Sequence, residues 1–409
     1  MVKDASQPNH CVYPKADQRL IRHTVSIVLM TLGTLPLPLF RDLGAAGLLG
    51  QTLAAFTGLL LLTGYSTNSR SLVVGVFVLA TAILSSLPSS ANVFSGQVFF
   101  LVVLVFATSI ARYRINASVF GDRFVLLLFV SVFLALGMAY LTASETLHGR
   151  LKILSSATTS ALICSLIVML GVHHILLLHG RSKYLYRAVG VAMVLLGMFF
   201  IFAIQSRGAL MSAVFFVQFM LFVYRKASLR GLAYANVIAL LIFVPLLIYL
   251  GEDTFARFNF ANFGEAEAFL SGRSQSYLIL ESYLWDLGFI QYFFGSGYGF
   301  TFQYLQSAGL EVPHLDMLVY FTDGGFVGLF IYLMLLYRLR NFGLPYFVSL
   351  FFFLNGLHTN MHLWPNLIPA TIVLSCYLDA ALKRVRARSL TRRETAPRRA
   401  SGAIGHGVG

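Results

Sequence analysis

The chain has 409 residues, of which 57% are hydrophobic and only 11% charged. A soluble globular domain carries roughly a quarter charged residues, so this composition excludes a protein whose whole surface faces water. The formal net charge of +14 does not call for a nucleic-acid partner. Basic residues collect on the cytoplasmic side of membrane proteins and meet anionic lipid there.

A membrane-spanning helix needs about 20 mostly apolar residues to cross the hydrocarbon layer. The backbone inside lipid must satisfy its own polar groups, which selects helices here. In chain order, apolar runs predict spans over 24–40, 46–64, 71–87, 96–111, 124–141, 159–178, 188–205, 209–224, 232–250, 318–337, 344–358 and 366–382. The expected fold class is an all-α polytopic membrane protein. It has about twelve transmembrane helices and one large periplasmic loop containing short helices. Residues 1–250 hold helices one to nine, 251–316 the loop, 317–382 the last three helices, and 383–409 a disordered, basic cytoplasmic tail. The first apolar run lacks a small-x-small cleavage site and reads as a retained helix. Cys11, Cys164 and Cys376 form no pair in an external loop, so no disulfide framework is expected.

The positive-inside rule sets the orientation. With the N-terminus inside, all but six of the 30 Lys and Arg fall on the cytoplasmic side. The six outside are Arg41, Arg150, Lys152, Arg207, Arg257 and Arg273. Both termini are therefore expected in the cytoplasm, and the periplasmic face is where chemistry is expected.

Arg207 lies in Gln205-Ser206-Arg207-Gly208, between two apolar runs with almost no loop. An arginine held at the membrane surface is costly unless paired or solvated, so such residues are often functional. A snorkelling residue that marks a helix end is the plainer reading. The long loop opens with Glu252 and Asp253, followed by Arg257. Ser271-Gly272-Arg273-Ser274 then starts an amphipathic helix, capped by Ser271, with apolar residues at Tyr277, Leu280, Leu284 and Leu287. That helix is expected to end at the turn Phe294-Gly295-Ser296-Gly297-Tyr298-Gly299-Phe300. No Lys-Ser/Thr follows the glycines, so the turn is not a nucleotide loop. A guanidinium beside free N–H groups at a helix start suits a diphosphate; an interfacial helix anchored by aromatics is the alternative. His314, in Val312-Pro313-His314-Leu315-Asp316, can accept a proton near pH 7. His358 and His362 have metal-ligand spacing but no third ligand, and no metal or cofactor is expected.

The ordered set Ser206-Arg207-Gly208, long outer loop, Gly272-Arg273, the glycine-rich turn, His314 and Gly325 resembles the superfamily of bacterial O-antigen polymerases and O-antigen ligases. His314 and Gly325 match the His-x10-Gly pattern of the ligases, although Leu315 stands where relatives often have Asn. The resemblance covers about 190–345 by motif and the rest by topology. It implies an inner-membrane glycosyltransferase of lipopolysaccharide or other polysaccharide biosynthesis, acting at the periplasmic face on an undecaprenyl-diphosphate-linked oligosaccharide. Residue by residue, it implies that Arg207 and Arg273, with Arg257 less securely, bind the diphosphate. It implies that His314 is the catalytic base; Glu252 and Asp253 are rival bases. Fixed arginines would stabilise the departing diphosphate without a metal.

The polymerase reading comes first. It joins repeat units into O-antigen or a related exopolysaccharide, and a chain-length-regulating co-polymerase is implied as its partner. The ligase reading transfers the glycan to lipid A–core. A lipid or polysaccharide flippase is the alternative from another class. It predicts charges within spans and broken helices, whereas the apolar runs here are almost free of charge.

Overall fold

The structure, a computed structural model, describes residues 16–35, 44–63, 96–110, 146–147, 150–151, 157–177, 183–204, 206–225, 274–310, 315–357 and 364–394, with the isolated positions 130, 134, 137, 138, 141, 359 and 361. The architecture is all-α. The helices are α1 (Ala16–Thr34), α2 (Gly44–Thr63), α3 (Gly96–Ile110), α4 (Ala157–Leu177), α5 (Lys183–Ala203) and α6 (Arg207–Arg225). They continue with α7 (Ser274–Trp285), α8 (Phe289–Phe294), α9 (Phe300–Ser307), α10 (Asp316–Arg338), α11 (Phe347–Gly356) and α12 (Leu367–Glu394). Among the described residues, the extended pairing is one two-residue antiparallel ladder, Thr146–Leu147 against Arg150–Leu151.

The helices form where the apolar runs are long. One described helix, Asp316–Asn341, is long and apolar enough to cross a membrane, and shorter apolar helices include Ser160–Leu176, Arg187–Ala203 and Gly208–Phe222. The expected spans over 71–87 and 232–250 lie outside the described residues.

Consecutive helices pack antiparallel. Between α1 and α2, the Ser26 hydroxyl donates to the Gly58 carbonyl at 2.6 Å, and at the other end the Gln51 amide donates to the Leu35 carbonyl at 2.5 Å. The α4–α5 contact depends on two glycines. A Cβ on either Gly171 or Gly190 would lie 2.7 Å from the other's carbonyl oxygen. Small residues that let backbones approach closely are how apolar helices associate where water drives nothing. Helix α4 also packs against α6 and α12. Aromatic rings fill the centre: Phe216 lies 5.3 Å from Phe347 and 5.8 Å from Phe351, and Phe100 lies 6.0 Å from Phe352.

Two elements differ from expectation. Helix α12 continues to Glu394, through residues read from sequence as the start of a disordered tail. The reason is local. Residues 383–394 are mostly good helix formers, and Lys383 pairs with Asp379 at 2.7 Å, one turn back. Basic residues also suit the negative end of the helix dipole. In the loop, the single helix expected up to Phe294 is two helices. Asp286, Leu287 and Gly288 break it, and Gly288 becomes the extended N-cap of α8, its N–H donating to the Gln291 side chain at 3.1 Å. The expected cap at Ser271 lies outside the described residues.

Several long-range bonds bring chain ends to one end of the bundle. Asn366, just before α12, donates to the Gly33 carbonyl at 2.9 Å. The Ser212 hydroxyl, near the start of α6, donates to Asn355 at the end of α11 at 2.7 Å. The start of α3 meets α10 there through Gln97.

Candidate functional site

The site is built on α10. Its first residue, Asp316, is a carboxylate at a helix N-terminus, where the helix dipole favours negative charge. It is fully buried. One carboxylate oxygen accepts the Met361 N–H at 3.0 Å and the Tyr332 hydroxyl at 3.2 Å. The Tyr332 ring stacks on Tyr320, with centroids 4.2 Å apart and planes 13° apart. Tyr320 in turn donates to the Gln97 carbonyl at 3.3 Å.

Nine residues after Asp316, the helix breaks. Gly325 has φ 61° and ψ −161° inside α10. Only glycine takes this conformation without strain, and here space also demands it: a Cβ on Gly325 would lie 2.4 Å from the Phe293 carbonyl carbon and oxygen. Gly295, with φ 73°, is the facing half of the contact, because its Cβ would lie 2.2 Å from the Asp323 carbonyl oxygen.

The glycine-rich turn between α8 and α9 docks into this break. Ser296 N–H donates to the Thr322 carbonyl at 3.1 Å and Gly297 N–H to the Asp323 carbonyl at 2.9 Å. The buried Asp323 carboxylate accepts the Gly299 N–H at 2.8 Å, the Thr301 N–H at 2.8 Å and the Thr301 hydroxyl. These N–H groups begin α9, so Asp323 caps a helix that lies in the loop before it. The Gln97 side chain accepts from the same Gly299 N–H at 2.9 Å.

The α7 helix joins the assembly through Tyr283. Its hydroxyl is hydrogen-bonded to Ser296, and its ring lies 4.9 Å from Phe300 and 5.3 Å from Tyr304. Burial raises the Tyr283 phenol; the bond to Ser296 opposes this, while Asp323 and Tyr304 add to it. Tyr298 lies under the break, its hydroxyl beside Gly324 and Gly328.

Of the residues singled out from sequence, Arg207 is the first residue of α6. It follows Ser206, whose carbonyl accepts the Leu210 N–H at 3.1 Å. Five residues into the same helix, Ser212 reaches Asn355. The next residue, Gly356, lies so close to Asp316 that a Cβ on it would sit 3.1 Å from the carboxylate. The start of α6 and the start of α10 therefore share one end of the bundle. Arg273 immediately precedes α7, and His314 precedes Leu315, the N-cap of α10. Arg273, His314, Arg257, Glu252 and Asp253 lie outside the described residues.

Sequence reasoning passed over Asp323. The signal was present: an acid inside an apolar run, followed directly by Gly324 and Gly325. An ionisable residue at membrane depth marks structure or function by default. No protein-family model matches the chain, and no curated protein is similar enough to count as a relative.

Proposed function

We propose that the chain is a polytopic inner-membrane glycosyltransferase. It polymerises undecaprenyl-diphosphate-linked repeat units at the periplasmic face, using about twelve membrane helices with both termini in the cytoplasm. One observation carries this reading. The helix opened by Arg207 and the helix that begins just after His314 approach each other at one end of the bundle, through Ser212–Asn355 and the closeness of Gly356 to Asp316, and the glycine-rich turn docks on the second of these helices. Two helices far apart in sequence, one opened by Arg207 and one beginning just after His314, thus pack at the same end. In this reading the guanidinium groups of Arg207 and Arg273 stabilise the leaving diphosphate, Arg257 adds a third charge, and His314 takes the acceptor hydroxyl proton.

A flippase for the same lipid-linked glycan is the second reading. The break at Gly325 and the buried acids Asp316 and Asp323 favour it, since transporters bind substrate at broken helices. Against it, the polar groups at the break are bonded to the chain's own turn. A substrate site would need those groups to face a cavity.

Deletion of the gene, followed by analysis of both surface and carrier-bound glycan, tests the proposal. A polymerase deletion leaves single repeat units on the final acceptor. A ligase deletion accumulates long glycan on undecaprenyl diphosphate, and a flippase deletion traps unpolymerised lipid-linked units on the cytoplasmic leaflet. Either of the last two results, or unchanged glycan in both pools, overturns the polymerase reading.

A further inference from the structure

The helix α8 reads Phe-Ile-Gln-Tyr-Phe-Phe and has no buried residue. Phe289 is 80% exposed, Ile290 74%, and Trp285 just before it 82%. From Leu287 to Leu310 the chain contains no Asp, Glu, Lys or Arg. Water-facing segments do not expose this much contiguous apolar surface without charge.

The exposed surface continues onto α10. Phe289 lies 5.0 Å from Phe293, Phe293 lies 6.2 Å from Phe326, and Tyr292 packs 5.3 Å from Phe321. Phe326 and, one turn on, Phe330 are themselves exposed, the latter at 67%. They belong to the described helix that is long and apolar enough to cross a membrane. One apolar face therefore runs without a step from that helix onto α8.

Irregular backbone persists at membrane depth only where the protein itself supplies its hydrogen bonds. The turn between α8 and α9 comes close to this condition. Of the seven N–H groups from Gly295 to Thr301, all but that of Tyr298 donate to protein acceptors: Gln291, Thr322, Asp323 and Gly297 carbonyls, the Gln97 side chain and the Asp323 carboxylate. An ordinary aqueous loop has no need of such provision, since water would serve.

We propose that α8 and the turn after it form a re-entrant element immersed in the hydrocarbon of the outer leaflet alongside α10, with lipid acyl chains as the partner of its exposed face. The loop thus belongs partly to the membrane and not wholly to the aqueous periplasm. The inference is independent of the reaction, because it concerns what covers α8 and not what the site transforms.

The test is fluorescence of the full chain reconstituted in phosphatidylcholine–phosphatidylglycerol vesicles. The sequence has two tryptophans, Trp285 and Trp364. In Trp364→Phe, and in a Phe289→Trp variant lacking both native tryptophans, the single indole is compared with acyl-chain-brominated lipid and with aqueous iodide. The expected result is blue-shifted emission, largely lost with brominated lipid and little changed by iodide, most clearly for the probe at 289. Iodide quenching close to that of free tryptophan, with brominated lipid without effect, overturns the proposal. Should these variants not fold, hydroxyl-radical footprinting of the unmodified chain in vesicles gives the same decision. Residues 289–294 staying unoxidised supports immersion, and oxidation at the level of the urea-unfolded chain refutes it.

Discussion

Arg207 occupies the first position of α6, where the positive end of the helix dipole disfavours a cation. Local helix energetics therefore do not account for it, and an anion held at that end would. If Arg207, Arg273 and His314 act as proposed, each alanine substitution removes one charged or proton-accepting contact in a desolvated site. The expected loss is about 3 kcal/mol of transition-state stabilisation, or roughly a hundredfold in rate, at unchanged protein level. Polymer yield from purified lipid-linked units measures it, and near-normal yield from His314→Ala removes that residue as base. Tyr283 makes a separate prediction. It has a phenol raised by burial, so the folded state holds its neutral form more firmly than the unfolded chain does. Its stabilising contribution is complete below about pH 10, where an unfolded phenol titrates, and is lost as pH rises above it. The thermal midpoint should fall on the alkaline side, and Tyr283→Phe should flatten that fall. Arg207 and the glycine-rich turn were legible in sequence because short polar interruptions of apolar runs stand out. Asp323 stood out only as an acid inside an apolar run; its capping role was not legible, because its partners Gly299 and Thr301 lie some twenty residues away, and pairing at that separation leaves no local pattern.

At the scale of elements, the break in α10 and the turn that fills it are one unit. Gly325→Ala forces a Cβ against the Phe293 backbone at a positive φ. The backbone strain alone is expected to cost on the order of 1–3 kcal/mol, read as a lowered melting midpoint in detergent. Asp323→Ala leaves the Thr301 N–H without its acceptor, an expected loss of about 1–3 kcal/mol, while the Gly299 N–H keeps its bond to Gln97. Asp323→Asn keeps an acceptor oxygen and should recover part of that loss in the same assay; equal melting of the two variants would deny the carboxylate its capping role. Helix positions themselves were readable from apolar runs. The run over 96–111 became Gly96–Ile110, and that over 209–224 became Arg207–Arg225. What apolarity could not reveal was the split at Gly288 or the break at Gly325, since both are set by contacts between elements. Nor could a polarity criterion see that the basic stretch past Ala381 stays helical, because helix propensity and polarity are different properties.

For the molecule as a whole, the distribution of Lys and Arg predicts the orientation. A membrane-impermeant thiol reagent applied from the periplasmic side should label a cysteine placed at 265 and spare one placed at 228. The reverse pattern would invert every assignment of face made from charge. The antiparallel packing of α1 on α2 and of α4 on α5 is what short connections between successive helices require. Those contacts also explain why the bundle can present several chain ends at one pole, with Asn366, Gln97 and Asn355 tying them together.

The docking of the turn between α8 and α9 into α10 also fixes an order of assembly. A ribosome makes residues 289–301 before 322–325, so the N–H groups of Ser296, Gly297 and Thr301 exist before the acceptors that hold them. They must stay hydrated until Thr322 and Asp323 arrive. The turn therefore takes its final place only after α10 has formed, so this region assembles backwards along the chain.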